Sequence, residues 1–559
     1  MTPPTLCGLE PERCAGAPVP DDAPRWLTFP YLPLGFTLLL LSAVLLPRVH
    51  DNQNLVWAFA GAAAGLLTWI GVLWARTKGD LRSLRVELVP LSRAHYIQGA
   101  VQLCVYAYWA QYWPQVYLQI PLILSQLVFF YAFDALLSWS RKQTFRFGCG
   151  PLPIILSTNV FLCFKDDWFV FQFVLIACAA LGKAFVKWTR DGRTTHVFNP
   201  SAFSLALFAV VLLATGTTDL TWGGKIADSF AQPPKIYLLI FVLGLVVQYF
   251  FSVTLMTLSA AAMLGLLSLV YFWSTGTYFF IFSNIPAPVF LGLHLLVTDP
   301  STSPRSNAGK VMFGALYGLL TFAFYGLLSS LGQPTIYDKL LPIPILNLSV
   351  KWIDRLAQQG VAGTFSRWEA AFQPRKLNWI HMSGWSVLFL WMLSAGFVQG
   401  RHPGGTYEFW KRAVDEGKHN AVHGLLEVLK SHARDGSAPA WNELGNLYLE
   451  GKLVEKDPTT AARYYAQASK GKSLAGSANL ATMYLGSERA GDSKVVTQAF
   501  DQLEQACAEP TDGAIYFLVG RAYELGKGRP LDPARARMLF EQGCARGNRE
   551  ACESLGRLK

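Results

Sequence analysis

Apolar residues run in long blocks along the first 400 positions, parted by short polar or proline-rich breaks, and beyond position 404 they recur instead at helical spacing among Ala, Glu, Lys and Tyr. A membrane helix needs about 20 mostly apolar residues, and fewer where surrounding protein shields the backbone. On that measure the sequence predicts spans at 30–47, 55–75, 97–113, 116–138, 151–164, 168–187, 197–216, 234–252, 255–274, 280–297, 311–331, 338–355 and 382–399. The block at 151–164 is short enough to be re-entrant. The expected fold class is all-α: a polytopic membrane helical bundle of about 12–13 spans over 30–400, then an α-solenoid over 401–559. Residues 1–29 form a polar head, expected to be disordered and cytoplasmic.

Composition agrees, since 52% hydrophobic and only 15% charged residues exclude an ordinary soluble protein. The head has no basic stretch followed by an apolar core, so the first span is expected to act as the insertion signal. Charge then fixes an expected orientation. Outside the spans, counting the head with Arg13 and Arg25, 21 Lys and Arg fall on one side, among them Arg76–Arg93, Lys183–Arg193 and Lys351–Lys376, against five on the other: Arg48, Lys165, Lys225, Lys235 and Lys339. Such a bias puts the crowded side in the cytoplasm and the part after residue 401 outside, in the periplasm of a bacterial inner membrane. The basic excess lies in the apolar part, which argues for membrane orientation and lipid contact and against nucleic-acid binding.

Beyond residue 404 a repeat of about 36 to 39 residues is visible. Leu447, Tyr448 and Gly451 align with Ala522, Tyr523 and Gly526, and Asp457-Pro458 with Asp532-Pro533. Each copy reads as two short helices, with small residues such as Gly445, Ala462 and Ala536 where they approach and Pro opening the second. The pattern resembles the SEL-like variant of tetratricopeptide repeats, which implies a protein-binding domain. The spacing of Cys544 and Cys552 looks like the cysteine pair that clips adjacent helices in cysteine-rich members of that class; two small buried residues is the alternative. Elsewhere the cysteines show no metal-binding spacing, so no metal site is expected.

Candidate chemistry sits in two loops on the crowded side. In one, His196-Val-Phe-Asn199-Pro200-Ser201-Ala leads into a helix. In the other, Thr298-Asp299-Pro300-Ser301-Thr302-Ser-Pro leaves one helix, and Gly309-Lys310 opens the next. Asn or Asp before Pro suits any helix start; flanked by Ser, Thr and Lys, the same starts suit a phosphate. Inside the spans, Asp134 and His294 are ionisable and therefore candidates for a cation or proton relay and for a donor to a quinone carbonyl, with a hydrogen bond between helices as the plain alternative. The histidines show no spacing that pairs them as haem ligands.

Taken together, Gly182-Lys183 with Phe198 to Ala202, Val297 to Pro304 with Gly309 to Gly314, and Pro342 to Asp354 resemble the RnfD/NqrB-like family, whose members are membrane components of the Rnf electron-transport complex and of the sodium-pumping NADH:quinone oxidoreductase. The resemblance covers about residues 75–357. It implies a helical membrane fold that holds flavin and passes electrons within a larger assembly, with His196, Asn199, Pro200, Ser201, Thr298, Asp299, Pro300, Ser301, Thr302 and Lys310 as cofactor-binding candidates. That family attaches FMN to the Thr of an SGAT-type motif. Here the corresponding stretch is TGTTDLTWGGKIADSFAQPPKIY, which lacks it. The expectation is therefore a membrane electron-transfer subunit with non-covalent flavin (FMN or riboflavin) or quinone, whose outer repeats bind a partner protein. The alternatives are a non-redox scaffold or transporter that kept the fold, and a membrane-bound biosynthetic accessory enzyme.

Overall fold

The computed structural model describes residues 31–78, 85–89, 93–190, 192–359, 373–399, 402–486, 493–509 and 511–558. The chain divides into two compact units, one drawn from residues 1–267 and 285–399 and the other from 268–284 and 400–559.

The first unit is a helical membrane bundle. Its helices are α1 Leu32–Ser42, α2 Gln53–Arg76, α3 Arg93–Tyr112, α4 Gln115–Ser140, α5 Pro151–Phe161, α6 Val170–Phe185, α7 Pro200–Thr215 and α8 Gly223–Ser229. They continue as α9 Ile236–Phe251, α10 Thr254–Thr275, α11 Ala287–Leu295, α12 Asn307–Ser330, α13 Pro342–Leu356 and α14 Pro374–Ser394. Four of these, α2, α4, α10 and α12, are both long and apolar enough to cross a bilayer. The helices α5, α6, α7 and α9, and α1 with the turn after it, are apolar but shorter.

Each expected span therefore holds a helix, but several of these helices are shorter or less apolar than a full crossing needs by itself. The block at 280–297 is helical only over α11, because Pro286 stands at its start and Pro288 in its first turn. The block at 151–164 stops at Phe161, where the chain turns extended. The block at 338–355 becomes α13, an amphipathic helix that buries Ile343, Leu346, Asn347, Val350 and Ile353 at spacings of three and four. The half-length α5 and α11 share a Pro-x-Pro opening, Pro151-Leu-Pro153 and Pro286-Ala-Pro288.

Two polar ends result. At one, β1 Val86–Leu88 pairs in parallel with β2 Phe145–Phe147, and β3 Lys187–Arg190 pairs antiparallel with β4 Arg193–His196, next to the start of α7. At the other, Arg48 grips Asp166 through two bonds of 2.7 and 2.9 Å, and Asn54 donates to Asp167 at 2.7 Å.

The second unit is a solenoid of helix pairs: α15 Tyr407–Asp415, α16 Ala421–Arg434, α17 Ala438–Glu450, α18 Pro458–Lys470, α19 Leu474–Leu485, α20 Ser493–Ala506, α21 Gly513–Leu525, α22 Pro533–Ala545 and α23 Arg549–Arg557. The aligned copies fold alike. Asp457 and Asp532 cap α18 and α22 ahead of Pro458 and Pro533. Gly451 and Gly526 end α17 and α21 in the left-handed region, at φ 69° and 66°. Gly445 lies flat on the Tyr465 ring and Gly520 on that of Phe540, so the paired helices can touch. Residues 268–284 join this unit as its first layer: Ile281 packs with Trp410 and Ala413, its carbonyl meets His402 Nδ1 at 3.1 Å, and Thr277 donates to the His419 carbonyl at 3.0 Å.

Candidate functional site

The two loops singled out by their sequence meet at the strand end of the bundle. Asn199 caps α7, its Oδ1 accepting from the amides of Ser201 and Ala202 at 3.1 and 3.3 Å, while its Nδ2 donates to the Leu296 carbonyl at 2.9 Å. The Asn199 amide donates to Oδ1 of Asn347 on α13, and Asn347 in turn donates to the Thr302 carbonyl. Arg190 donates to the Ser303 carbonyl at 2.8 Å and pairs with Asp354, whose other oxygen accepts from the Arg305 amide. Thr298 bonds back to the His294 carbonyl, and Lys310 donates to that of Ser252.

The structure thus brings His196, Asn199, Pro200, Ser201 and the 298–302 loop together and adds Arg190, with Asn347 and Asp354 from the Pro342–Asp354 stretch, none of which was a site candidate in the sequence. Their polar groups are spent on one another: at the start of α7 the Asn199 oxygen takes the place that an anion's oxygen would occupy. The cluster clamps α7, α11 and α13. Asp299 accepts from the Ser301 amide at 2.9 Å and faces His196 Nε2 at 3.4 Å. Burial pushes its carboxyl up, but the hydrogen bond and charge of His196, with the Ser301 amide, outweigh this and hold it below the ordinary carboxylate value.

His294 lies fully buried in α11, with Nδ1 bonded to the Phe290 carbonyl at 2.8 Å and Nε2 without a partner. Its ring sits 4.5 Å from that of Phe290 and 5.9 Å from that of Trp385, and Gly244 on α9 leaves room for it. Asp134, near the end of α4, stands within electrostatic range of Lys183, Arg141 and Lys187. The two share no hydrogen-bond partner among the described residues.

At the opposite end, beside the break in α5, lies a cavity of about 300 Å³. Aromatic rings of Tyr106, Trp109, Trp113 and Trp222 wall it, Asn159 and Cys163 reach it from α5 and the chain beyond, and Arg48 and Asp166 stand at its rim. The rings are fixed: Tyr106 donates to the Leu156 carbonyl at 2.8 Å, and Trp109 to the Ser229 hydroxyl at 3.1 Å. Where α5 stops, its freed backbone needs partners inside the bundle. Gln172 accepts from the Phe164 amide at 3.1 Å, and the Trp222 and Lys165 amides bond to the carbonyls of Cys163 and Leu220. Gln172 belongs to a buried amide network with Gln126 and Asn159. Lys165 and Lys225 lie over the Trp222 ring, whose buried N–H has no partner. Trp222 and Ile226 come from the stretch that stands where an SGAT motif is missing.

Sequence reasoning missed this site. Its aromatic walls come from span ends, where rings ordinarily form belts, and its floor is neutral. Three amides within apolar blocks, Gln126, Asn159 and Gln172, were the available signal.

Comparison with known proteins shows what these parts are similar to. Residues 123–363 match the NQR2, RnfD, RnfE family, and residues 438–473 and 516–548 match the Sel1 repeat. No curated protein matches the chain. Among solved structures, a Sel1 repeat protein from Oxalobacter formigenes is 31% identical, covering 24% of this chain and 97% of its own, with a TM-score of 0.20. A protective antigen of uropathogenic Escherichia coli strains displaying an SLR fold is 14% identical over 78% of this chain and 79% of its own, with a TM-score of 0.24.

Proposed function

From a membrane domain like that of the NQR2, RnfD, RnfE family and a C-terminal domain of Sel1 repeats, we propose that the protein is an electron-transfer subunit of a bacterial inner-membrane complex. Its cavity beside α5 holds a planar ring, a flavin bound without a covalent link or a quinone, and its repeats recruit a partner protein on the periplasmic side. One observation carries the reading. The stretch that replaces the attachment motif builds a wall of an aromatic cavity, through Trp222 and Ile226. Such a ring, when bound, supplies reversible uptake of electrons. Tyr106, Trp109 and Trp113 offer it stacking faces, and Lys165 and Lys225, which lie over the Trp222 ring, supply cations beside that wall for an anionic tail. Arg48 is already held by Asp166. The clamp of Asn199, Asp299 and Thr302 steadies the bundle on the cytoplasmic side. The test is a visible spectrum of the detergent-purified protein with its native partners, a denaturing gel viewed under ultraviolet light, and solvent extraction for quinone. Flavin bands that vanish from the gel, or extracted quinone, support the reading, and neither in the native complex overturns it.

The half-length helices α5 and α11 favour a second reading, a transporter, because broken helices in transporters line substrate sites. Protein-bound flavin would sink it.

A further inference from the structure

In the turn between α12 and α13, Asp338 and Lys339 are withdrawn from solvent, their side chains 2% and 5% exposed. The Lys339 ammonium donates to Asp338 Oδ1 at 3.1 Å and to the Ile336 carbonyl at 2.6 Å, and the Lys339 amide donates to the same carboxylate oxygen at 2.6 Å. Tyr317 on α12 donates to the Lys339 carbonyl at 3.0 Å. Both half-length helices converge here: a Cβ on Gly292 of α11 would lie 3.3 Å from the Tyr317 hydroxyl and 3.9 Å from both Lys339 Cβ and the ring of Phe161, the last residue of α5.

Burying two charges costs several kcal/mol each, and an apolar pair would pack as well or better, so stability alone does not explain the pair. Within a membrane bundle such groups mark routes for protons or ions. A second observation points the same way. The hydroxyls of Thr321, one turn beyond Tyr317, and of Tyr337 are fully buried, and their polar neighbours are the Tyr317 and Thr221 hydroxyls. Tyr337 faces Thr221, whose neighbour Trp222 lines the cavity, and Gly223 packs against Ile336. Tyr317 of α12 bonds to the pair and feels the Asp338 charge, Tyr337 precedes the pair in its own turn, and Gly292 of α11 lies between Lys339 and Phe161 of α5, with His294 two positions further along α11.

We propose that Asp338 and Lys339 form a proton-exchange site serving the cavity, with Tyr337 as the relay, an inference that rests on reading the cavity as a redox site. A proton passes from Lys339 Nζ to Asp338 Oδ1, giving an amine and a neutral acid with no change in net charge. One proton then leaves the pair for the Tyr337 hydroxyl, which hands its own toward Thr221 and the cavity. No electron moves in these steps, and the pair stays one proton short until water refills it.

The test is infrared difference spectroscopy of the full-length protein in detergent, acid minus alkaline, in H2O and D2O. The expected result is a carboxylic-acid band that Asp338→Asn removes and that Lys339→Met carries to more alkaline pH, because the neighbouring cation is gone. Tyr337→Phe keeps the ring and removes only the hydroxyl that faces Thr221, so it keeps the band but slows its deuterium exchange by about 10²-fold, the lower range for a positioned proton donor. If Asp338→Asn does not fold, the neutral pair Asp338→Asn with Lys339→Met serves for the assignment. A wild-type protein without the band, or unchanged exchange in Tyr337→Phe, overturns the proposal. The spectra need no bound ring, so loss of the cavity reading through absent flavin and quinone is scored separately from loss of the exchange site.

Discussion

Asn159 and Gln126 exchange hydrogen bonds inside the bundle: the Asn159 amide donates to Gln126 Oε1 at 2.7 Å and accepts from Gln126 Nε2 at 3.1 Å. Both residues are at most 5% exposed, and Gln172 donates to both side-chain oxygens. Removing one amide breaks both bonds of the exchange and leaves its partner buried with fewer partners, Gln172 among them, at a cost of about 1–3 kcal/mol. Gln126→Leu or Asn159→Leu should therefore lower the thermal midpoint in detergent, while the double substitution should cost less than the sum of the two. An additive double variant would mean that the amides act independently.

Cys163 tests the cavity directly, since its sulfur lies against Gln119 at the cavity wall. In a chain with Cys104→Ser and Cys149→Ser, which removes two exposed thiols, a small thiol reagent should modify Cys163, and a short-chain naphthoquinone or riboflavin should slow the modification. Peptide mass spectrometry reads the site. Modification at an unchanged rate with either ring present would place the ring elsewhere.

The clamp of the two loops should weaken in acid. The Asp299 carboxyl is held below its ordinary value in the folded chain, so its contribution is fully present above the unfolded value of about 3.9 and is lost as pH falls through the folded value. Asp299→Asn should flatten the acid limb of a stability profile and leave stability near neutral pH lower but less pH-dependent. An unchanged acid limb would show that His196 and Asp299 are not coupled in solution.

These cases show what the residues alone disclose. The repeats were legible because Asp-Pro starts, small contact residues and Gly ends act within a few residues of one another, as Asp457, Gly445 and Gly451 do. The polar loops were legible as helix starts, but their closure depends on Asn347 and Arg190, which lie 148 and 113 residues from the Asn199 and Ser303 groups they bind. Hydropathy marks an apolar block without telling a full crossing from a half-length helix, and so α5 and α11 were overlong in prospect. The cavity was hidden because neutral amides and indoles carry chemistry only once the break in α5 gathers them.

Gly520 probes the solenoid. A Cβ there would stand 2.6 Å from the Phe540 ring, closer than packed atoms allow. Gly520→Ala should cost about 1–3 kcal/mol through overpacking, whereas Gly556→Ala, where a Cβ meets nothing, should not. Urea unfolding followed by helix content in the full-length protein separates the two, and equal midpoints would show that α21 and α22 can part without loss.

Cys544 and Cys552 are joined in the structure, tying α22 to α23. The last helix has only nine residues and buries just Ala551 and Ser554 as it packs on α22, too little to hold a terminal turn of solenoid by itself. A closed loop of this size contributes about 2 kcal/mol or more in the chain-entropy account, so Cys544→Ser should fray α23 and raise hydrogen exchange there while leaving α17 and α18 unchanged. The bond also reports the compartment, because a thiol pair persists as a disulfide only where the surroundings oxidise it. Alkylation of intact cells before and after reduction should find both cysteines blocked if the repeats lie in the periplasm. Free thiols at both positions would put the solenoid on the reducing side and reverse the proposed orientation.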